Sequence, residues 1–66
     1  MTLYFENSYG VRREIAHPDS EAEAWRVISN FCKERNFKIY YINQWITEKG
    51  EHFYDVGSHS EFFILV

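Results

Sequence analysis

The sequence predicts an α+β fold in which one helix packs across one face of a mostly antiparallel sheet. One stretch of the chain has apolar residues at helical spacing, and the other structured stretches are rich in β-branched and aromatic residues. Turn-forming residues separate these stretches, so the element order reads β-β-α-β-β-β. At 66 residues the chain is expected to form one small domain, residues 1–66.

Composition excludes several classes of protein. Hydrophobic residues make up 45% of the chain and aromatic residues 20%, whereas disordered chains are poor in both. The length is too short for a Rossmann fold, a barrel or a deep catalytic cleft. A formal net charge of −3 argues mildly against a generic binder of polyanions.

Two strands are expected before the helix, at residues 3–6 and 11–16, with the turn residues of a hairpin between them. The helix is expected over residues 20–35, because Ser20 and Glu23 have the spacing of a capping box. Asn36 fits a left-handed cap after the last turn. The buried stripe is predicted to contain Ala24, Val27, Ile28 and Phe31, with Cys32 beside it.

Three further strands are expected at residues 37–47, 51–56 and 61–66, and all three are apolar on both faces. A single helix of about 16 residues is roughly 24 Å long and covers one face only. Strong twist with aromatic rims is one explanation for the second apolar face, and a buried interface with another molecule is the other. The second explanation predicts a homodimer or a protein partner, with an interaction face formed by Tyr40, Ile42, Ile46, Tyr54 and Phe63.

The sequence offers little catalytic chemistry, so we expect no enzyme, no metal and no cofactor. The metal-capable or acid–base side chains that cluster in sequence are His52, Asp55, His59 and Glu61. Zinc sites with a sequence signature show paired Cys or His residues at short spacing, which this segment lacks. Turn formation by Asp55 and its neighbours explains the segment without a ligand.

Nucleic-acid binding is the alternative function, because aromatic residues on a sheet can stack unpaired bases. Such a platform would consist of Tyr40, Tyr41, Trp45, Phe53 and Tyr54. The basic residues expected near the sheet are Arg12, Arg13 and Lys38, and the chain is net acidic. We therefore expect nucleic acid to be an unlikely partner.

Cysteine usage and hydropathy suggest a cytoplasmic location. Small secreted domains usually carry several disulfides, whereas this chain has one cysteine, Cys32, expected to be a small buried apolar residue on the helix. The first residues lack the basic start and apolar run of a signal peptide, and no stretch is long and apolar enough to span a membrane.

Three segments carry a resemblance to known proteins: LYFENSYG at residues 3–10, NFKIYY at 36–41 and DVGSHSEFF at 55–63. They resemble small uncharacterised proteins carried by phages and prophages of Gram-positive bacteria. The resemblance implies an accessory protein that acts in the host cytoplasm and binds a larger host or phage protein. It provides no established catalytic residues to carry over to this chain. The sheet with two apolar faces, the lack of a catalytic constellation and the short length lead us to expect a non-enzymatic protein–protein binding module.

Overall fold

The computed structural model describes residues 1–39, 42–57 and 61–66, and this part of the chain confirms the expected α+β fold and element order. The elements are β1 (Leu3–Glu6), β2 (Arg12–Ala16), α1 (Glu21–Glu34), β3 (Asn43–Ile46), β4 (His52–Asp55) and β5 (Phe62–Leu65). The five strands form one antiparallel sheet with the order β2-β1-β5-β4-β3.

The last strand lies at the centre of the sheet. On one side Leu3 of β1 is opposite Leu65, and on the other side Phe53 of β4 is opposite Ile64. Phe63, Ile64 and Leu65 are all buried. The uninterrupted apolar run of β5 is therefore explained by its central position, because a strand with neighbours on both edges and cover on both faces has no need of polar alternation.

Helix α1 is held by the expected caps, with one difference. The Ser20 hydroxyl oxygen accepts a hydrogen bond from the Glu23 N–H at 3.2 Å. The Glu23 carboxylate accepts from the Asp19 N–H at 2.9 Å, one residue earlier than in the usual capping box. At the other end Asn36 has a φ of 57°, which is the predicted left-handed position.

The core lies between α1 and the sheet. Ala24, Ile28 and Cys32 form the innermost row of the helix, while Val27 and Phe31 are only partly buried beside it. Burial of Cys32 confirms its predicted structural position. The helix thus buries the predicted side, but its most deeply buried row includes Cys32, which was expected only beside the stripe.

The third strand is much shorter than the expected residues 37–47. Phe37 completes the end of the helix instead of starting a strand, because its N–H donates to the Cys32 carbonyl at 2.8 Å. Its ring lies 6.2 Å from Phe5 and 6.3 Å from Phe31, so it joins the core. Aromatic residues are typical of strands, but here the aromatic Phe37 is explained by its packing against the core.

Candidate functional site

Helix α1 covers the face of the sheet that carries Tyr54 and Phe63. These two side chains are 0% and 1% exposed, and the Trp25 ring contacts Tyr54 with 4.8 Å between ring centroids. The prediction that Tyr54 and Phe63 line an open interaction face is therefore wrong. Strand alternation fixes which residues share a face, but it does not decide which of two apolar faces the helix covers.

The opposite face of the sheet, called the open face below, carries an aromatic cluster of Trp45, Phe53 and Phe62. Trp45 stacks on Phe53 with 5.4 Å between centroids and 14° between ring planes. Phe62 meets both rings edge-on, at 5.8 Å from Trp45 and 6.0 Å from Phe53. Ile64, opposite Phe53 in the register, is 0% exposed although no helix covers this face.

The side chain of Arg12 crosses the open face. Its Nη1 lies 2.7 Å from Glu51 Oε2, its Nε lies 3.1 Å from Glu6 Oε1, and its guanidinium carbon lies 5.8 Å from the Phe53 ring centroid. Strands β1 and β5 lie between β2, which carries Arg12, and β4, which follows Glu51. We call this ion-paired crossing the Arg12 strap.

The rim of the open face is acidic in balance, because the carboxylates of Glu6, Glu14 and Glu51 outnumber the cations of Arg12 and Lys49. The hydrogen bond from Arg12 is the main cause of a lowered pKa of Glu51, and the bonds to Glu51 and then Glu6 raise the pKa of Arg12. Arg12 is thus engaged by two carboxylates. Glu14, opposite Tyr4 on this same face, adds a further negative charge.

Edge strand β3 and the residues just before it expose several large apolar side chains. Ile46 is 67% exposed, and Ile42, just before the strand, is 56% exposed. Trp45 and Ile39 are also exposed. Ile42 and Ile46 therefore lie at the surface as predicted, whereas the predicted Tyr40 lies outside the described residues.

β3 presents these groups on both sides of the sheet. Trp45 stacks on Phe53 on the open face, while Ile46 lies opposite His52, whose ring stacks on Tyr54 on the helix side. Among the described residues β3 has a strand neighbour on one edge only, β4. The candidate site is thus the β3 edge with Ile42, Trp45 and Ile46.

Strand β4 does not bring together His52 and Asp55, two members of the acid–base cluster suggested by the sequence. His52 and Asp55 are three residues apart on the strand and point to opposite faces. The Asp55 carboxylate accepts from the Gly57 N–H at 2.9 Å, which is turn formation. His59 lies outside the described residues. Within residues 1–39, 42–57 and 61–66 no group of three or more His, Cys, Asp or Glu residues is placed to hold a metal ion.

His52 has a structural network of its own. Its Nε2 lies 2.8 Å from Gln44 Oε1, which only accepts, so Nε2 carries the proton in the neutral ring. Its Nδ1 then accepts from the Tyr54 hydroxyl at 3.2 Å. Burial, with a smaller contribution from Glu21, raises the pKa of Tyr54, so this phenol stays neutral and donates.

Cys32 is 2% exposed, and burial raises the pKa of its thiol. A thiol that is buried and harder to ionise is poorly suited to nucleophilic attack. Its environment is that of an apolar core residue.

Comparisons of the chain with protein-family models, with curated proteins and with solved structures find no match. Within the described part of the chain no helix is long and apolar enough to cross a membrane. The resemblance to phage proteins stays a hypothesis.

Proposed function

We propose that the protein is a non-enzymatic binding module that uses the β3 edge to associate with a second copy of itself. The observation that carries the proposal is the exposure of Ile42, Trp45 and Ile46 along an edge strand with no charged residue. Exposed apolar edge strands are templates for pairing with another chain.

The two edges of the sheet differ in a way that supports this choice. Edge strand β2 has the sequence RREIA, and its three charged residues are the type of residue that protects an edge from pairing. Edge strand β3 has the sequence NQWI and lacks such protection. The charged residues of β2 therefore disfavour pairing at that edge, whereas the β3 edge is suited to association.

A second copy fits the β3 edge because two identical β3 strands place no like charges opposite each other. Antiparallel pairing about a two-fold axis would continue the sheet from one protomer into the next, and two-fold dimers are the commonest closed assemblies. In the dimer, the partner strand would cover part of Ile46 on one side of the sheet and part of Trp45 on the other. Both side chains are exposed to water in the monomer.

The resemblance to phage and prophage proteins supports placing this module in the cytoplasm of a host cell. There, a host or phage protein is proposed to compete for the same edge. The acidic rim around the aromatic cluster favours a protein partner over nucleic acid, because the strap engages Arg12 with Glu6 and Glu51. Burial of Tyr54 also removes it from the aromatic platform expected for base stacking.

Sedimentation equilibrium at micromolar concentration tests the proposal. We expect a reversible equilibrium between the 8.0 kDa chain and a species of twice that mass. Ile46→Lys should shift the equilibrium to monomer, because it places a charge on the pairing edge. Tyr9→Lys is the matched control, since Tyr9 is 90% exposed in the turn between β1 and β2.

Wild-type protein that stays at 8.0 kDa at every concentration would contradict self-association. Equal effects of Ile46→Lys and Tyr9→Lys would show that the β3 edge is not the contact. Salt-sensitive binding of a single-stranded oligonucleotide, lost when Trp45 is replaced by Ala, would instead support the nucleic-acid alternative.

A further inference from the structure

A cavity of about 180 Å³ lies between the β1–β2 hairpin and the C-terminal half of α1. It is lined by Phe5, Asn7, Val11, Arg13, Phe31 and Arg35. A cavity of roughly 150 Å³ is large enough to hold benzene, so this one accommodates an aromatic ring. Because β2 and β3 are opposite edges of the sheet, the cavity is remote from the proposed dimer contact.

Aromatic rings form the floor of this cavity. Phe5 and Phe31 lie 4.8 Å apart between centroids with planes tilted by 39°, and Phe63 supports both from the core at 5.3 and 5.4 Å. Their partial exposure leaves ring surface available to a ligand. An aromatic group entering the cavity would gain tilted or edge-on ring contacts of the same kind.

Two guanidinium groups border the floor. Arg13 is directly opposite Phe5 in the strand register, so it shares the helix-side face with the ring. Arg35 lies on the Phe31 ring, with its guanidinium carbon 4.4 Å from the centroid. Stacking of this kind orients the planar fork of an arginine before any ligand arrives.

The charges of Arg13 and Arg35 are not neutralised by carboxylates in the part of the chain that the structure describes: no Asp or Glu oxygen lies within ion-pair distance of either. Arg12, one residue before Arg13, shows the contrast, because it contacts both Glu6 and Glu51. The chain has ten acidic and seven basic residues, so a shortage of carboxylates does not explain why these two arginines have no carboxylate partner. Because both lie beside an apolar cavity, they are suited to bind an external anion.

We propose that this cavity binds an acidic peptide segment of a partner protein, in which an aromatic residue is flanked by carboxylates. The aromatic side chain enters over Phe5 and Phe31, and the flanking carboxylates pair with Arg13 and Arg35. Asn7 uses its amide oxygen to accept from the Tyr9 and Val11 N–H groups, which fixes the hairpin wall of the cavity. The net charge of −3 favours such a short acidic segment over a long phosphate backbone.

Titration of ¹⁵N-labelled protein with the peptide N-acetyl-Glu-Phe-Glu-amide tests the proposal by NMR. We expect saturable shifts of the backbone N–H signals of Phe5, Val11 and Phe31. Arg13→Gln and Arg35→Gln should each weaken binding about tenfold, because each removes a charge-assisted hydrogen bond. Arg26→Gln is the matched control on the exposed side of α1 and should leave the affinity within about twofold.

Two further ligands separate charge from aromatic contact. The peptides N-acetyl-Gln-Phe-Gln-amide and N-acetyl-Glu-Ala-Glu-amide should both bind much more weakly than the parent peptide. Ile46→Lys, which tests the dimer, should leave peptide binding unchanged, so failure of one proposal is distinguishable from failure of the other.

The proposal is overturned if the wild-type protein shows no saturable shift at millimolar peptide. It is also overturned if the glutamine peptide binds as well as the glutamate peptide, or if Arg26→Gln weakens binding as much as Arg13→Gln. Tighter binding of a thymidine oligonucleotide to the same signals would assign the cavity to nucleic acid instead.

Discussion

Arg12 and Glu51 meet across the open face of the sheet, with 2.7 Å between Nη1 and Oε2, although 39 residues separate them in sequence. Three interstrand spacings amount to about 14 Å in a flat sheet, so both side chains must extend toward each other across the open face to make this contact. The strap lies against Phe53, which is opposite Ile64 in the strand register. Three of the four residues of the central strand are buried, although the chain has a single helix in its described part.

Removing the strap should loosen the open face. Arg12→Ala is expected to lower the free energy of unfolding by at least about 0.5–1 kcal/mol, because the contact between the guanidinium and the Phe53 ring is lost. Arg12→Met keeps an apolar stem over the ring and should be less harmful. Urea denaturation measures both, with Arg26→Ala as the control for loss of an exposed charge. The strap has no structural role if Arg12→Ala and Arg26→Ala are equally stable.

The strap should also depend on pH. The hydrogen bond from Arg12 lowers the pKa of Glu51 in the folded protein below the ordinary glutamate value of about 4.3. The ion pair therefore stabilises the folded protein fully at pH values above the ordinary glutamate pKa. This stabilisation is lost as the pH falls through the lower pKa that Glu51 has in the folded protein. Carbon-detected NMR titration of the Glu51 carboxylate should show its midpoint rising in Arg12→Met. An unchanged midpoint would mean that Arg12 does not set this pKa.

Ile28 and Phe31 both belong to the predicted helix stripe, and of the two Ile28 is the one that is fully buried. Ile28→Val should lower the free energy of unfolding by about 0.5–1.5 kcal/mol, and Ile28→Ala by about 2–5 kcal/mol. The second change approaches the whole stability of a small domain, so the valine variant is the better measurement. Ser29→Ala, on the exposed side, is the control, and equal stability of Ile28→Val and wild type would refute the assigned face.

Zinc should not stabilise the protein. The nitrogens of His52 already contact Gln44 and Tyr54, and Asp55 points to the other face of the strand, where it accepts from the Gly57 N–H. A specific site would raise the melting temperature by mass action. Thermal unfolding with and without zinc checks this, and a stoichiometric rise that disappears in His59→Ala would establish a metal site.

The sequence predicts the helix and its caps well because these features are local. Ser20, Glu23 and Asn36 act within one turn of the helix ends, and the structure places all three as caps. The element order is equally accessible, because turn residues separate the strands. The length of β3 is overestimated most, since the aromatic Phe37 packs at the helix end, whereas the helix and the other strands differ from the expected ranges by one residue at most at each end.

The choice of covered face is not predictable from these strands, because Phe53 and Tyr54 are equally suited to burial. The Arg12 strap is also beyond sequence pattern, since it depends on the order of the strands in the sheet. Arg13 and Arg35 come together for a similar reason, through the packing of α1 on the hairpin. One signal was present in the sequence: the charged RREIA strand and the uncharged NQWI segment already distinguish the two edges.

Hydrogen exchange at β3 tests the central claim, pairing through this edge, most directly. In an antiparallel strand the N–H groups of alternate residues point to opposite neighbours, so β4 can protect only some of those in Asn43–Ile46. We predict that the remaining N–H groups become protected as protein concentration rises, and that Ile46→Lys abolishes this gain but Tyr9→Lys does not. Rapid exchange of these groups at every concentration, in protein that sedimentation shows to be dimeric, would contradict pairing through β3.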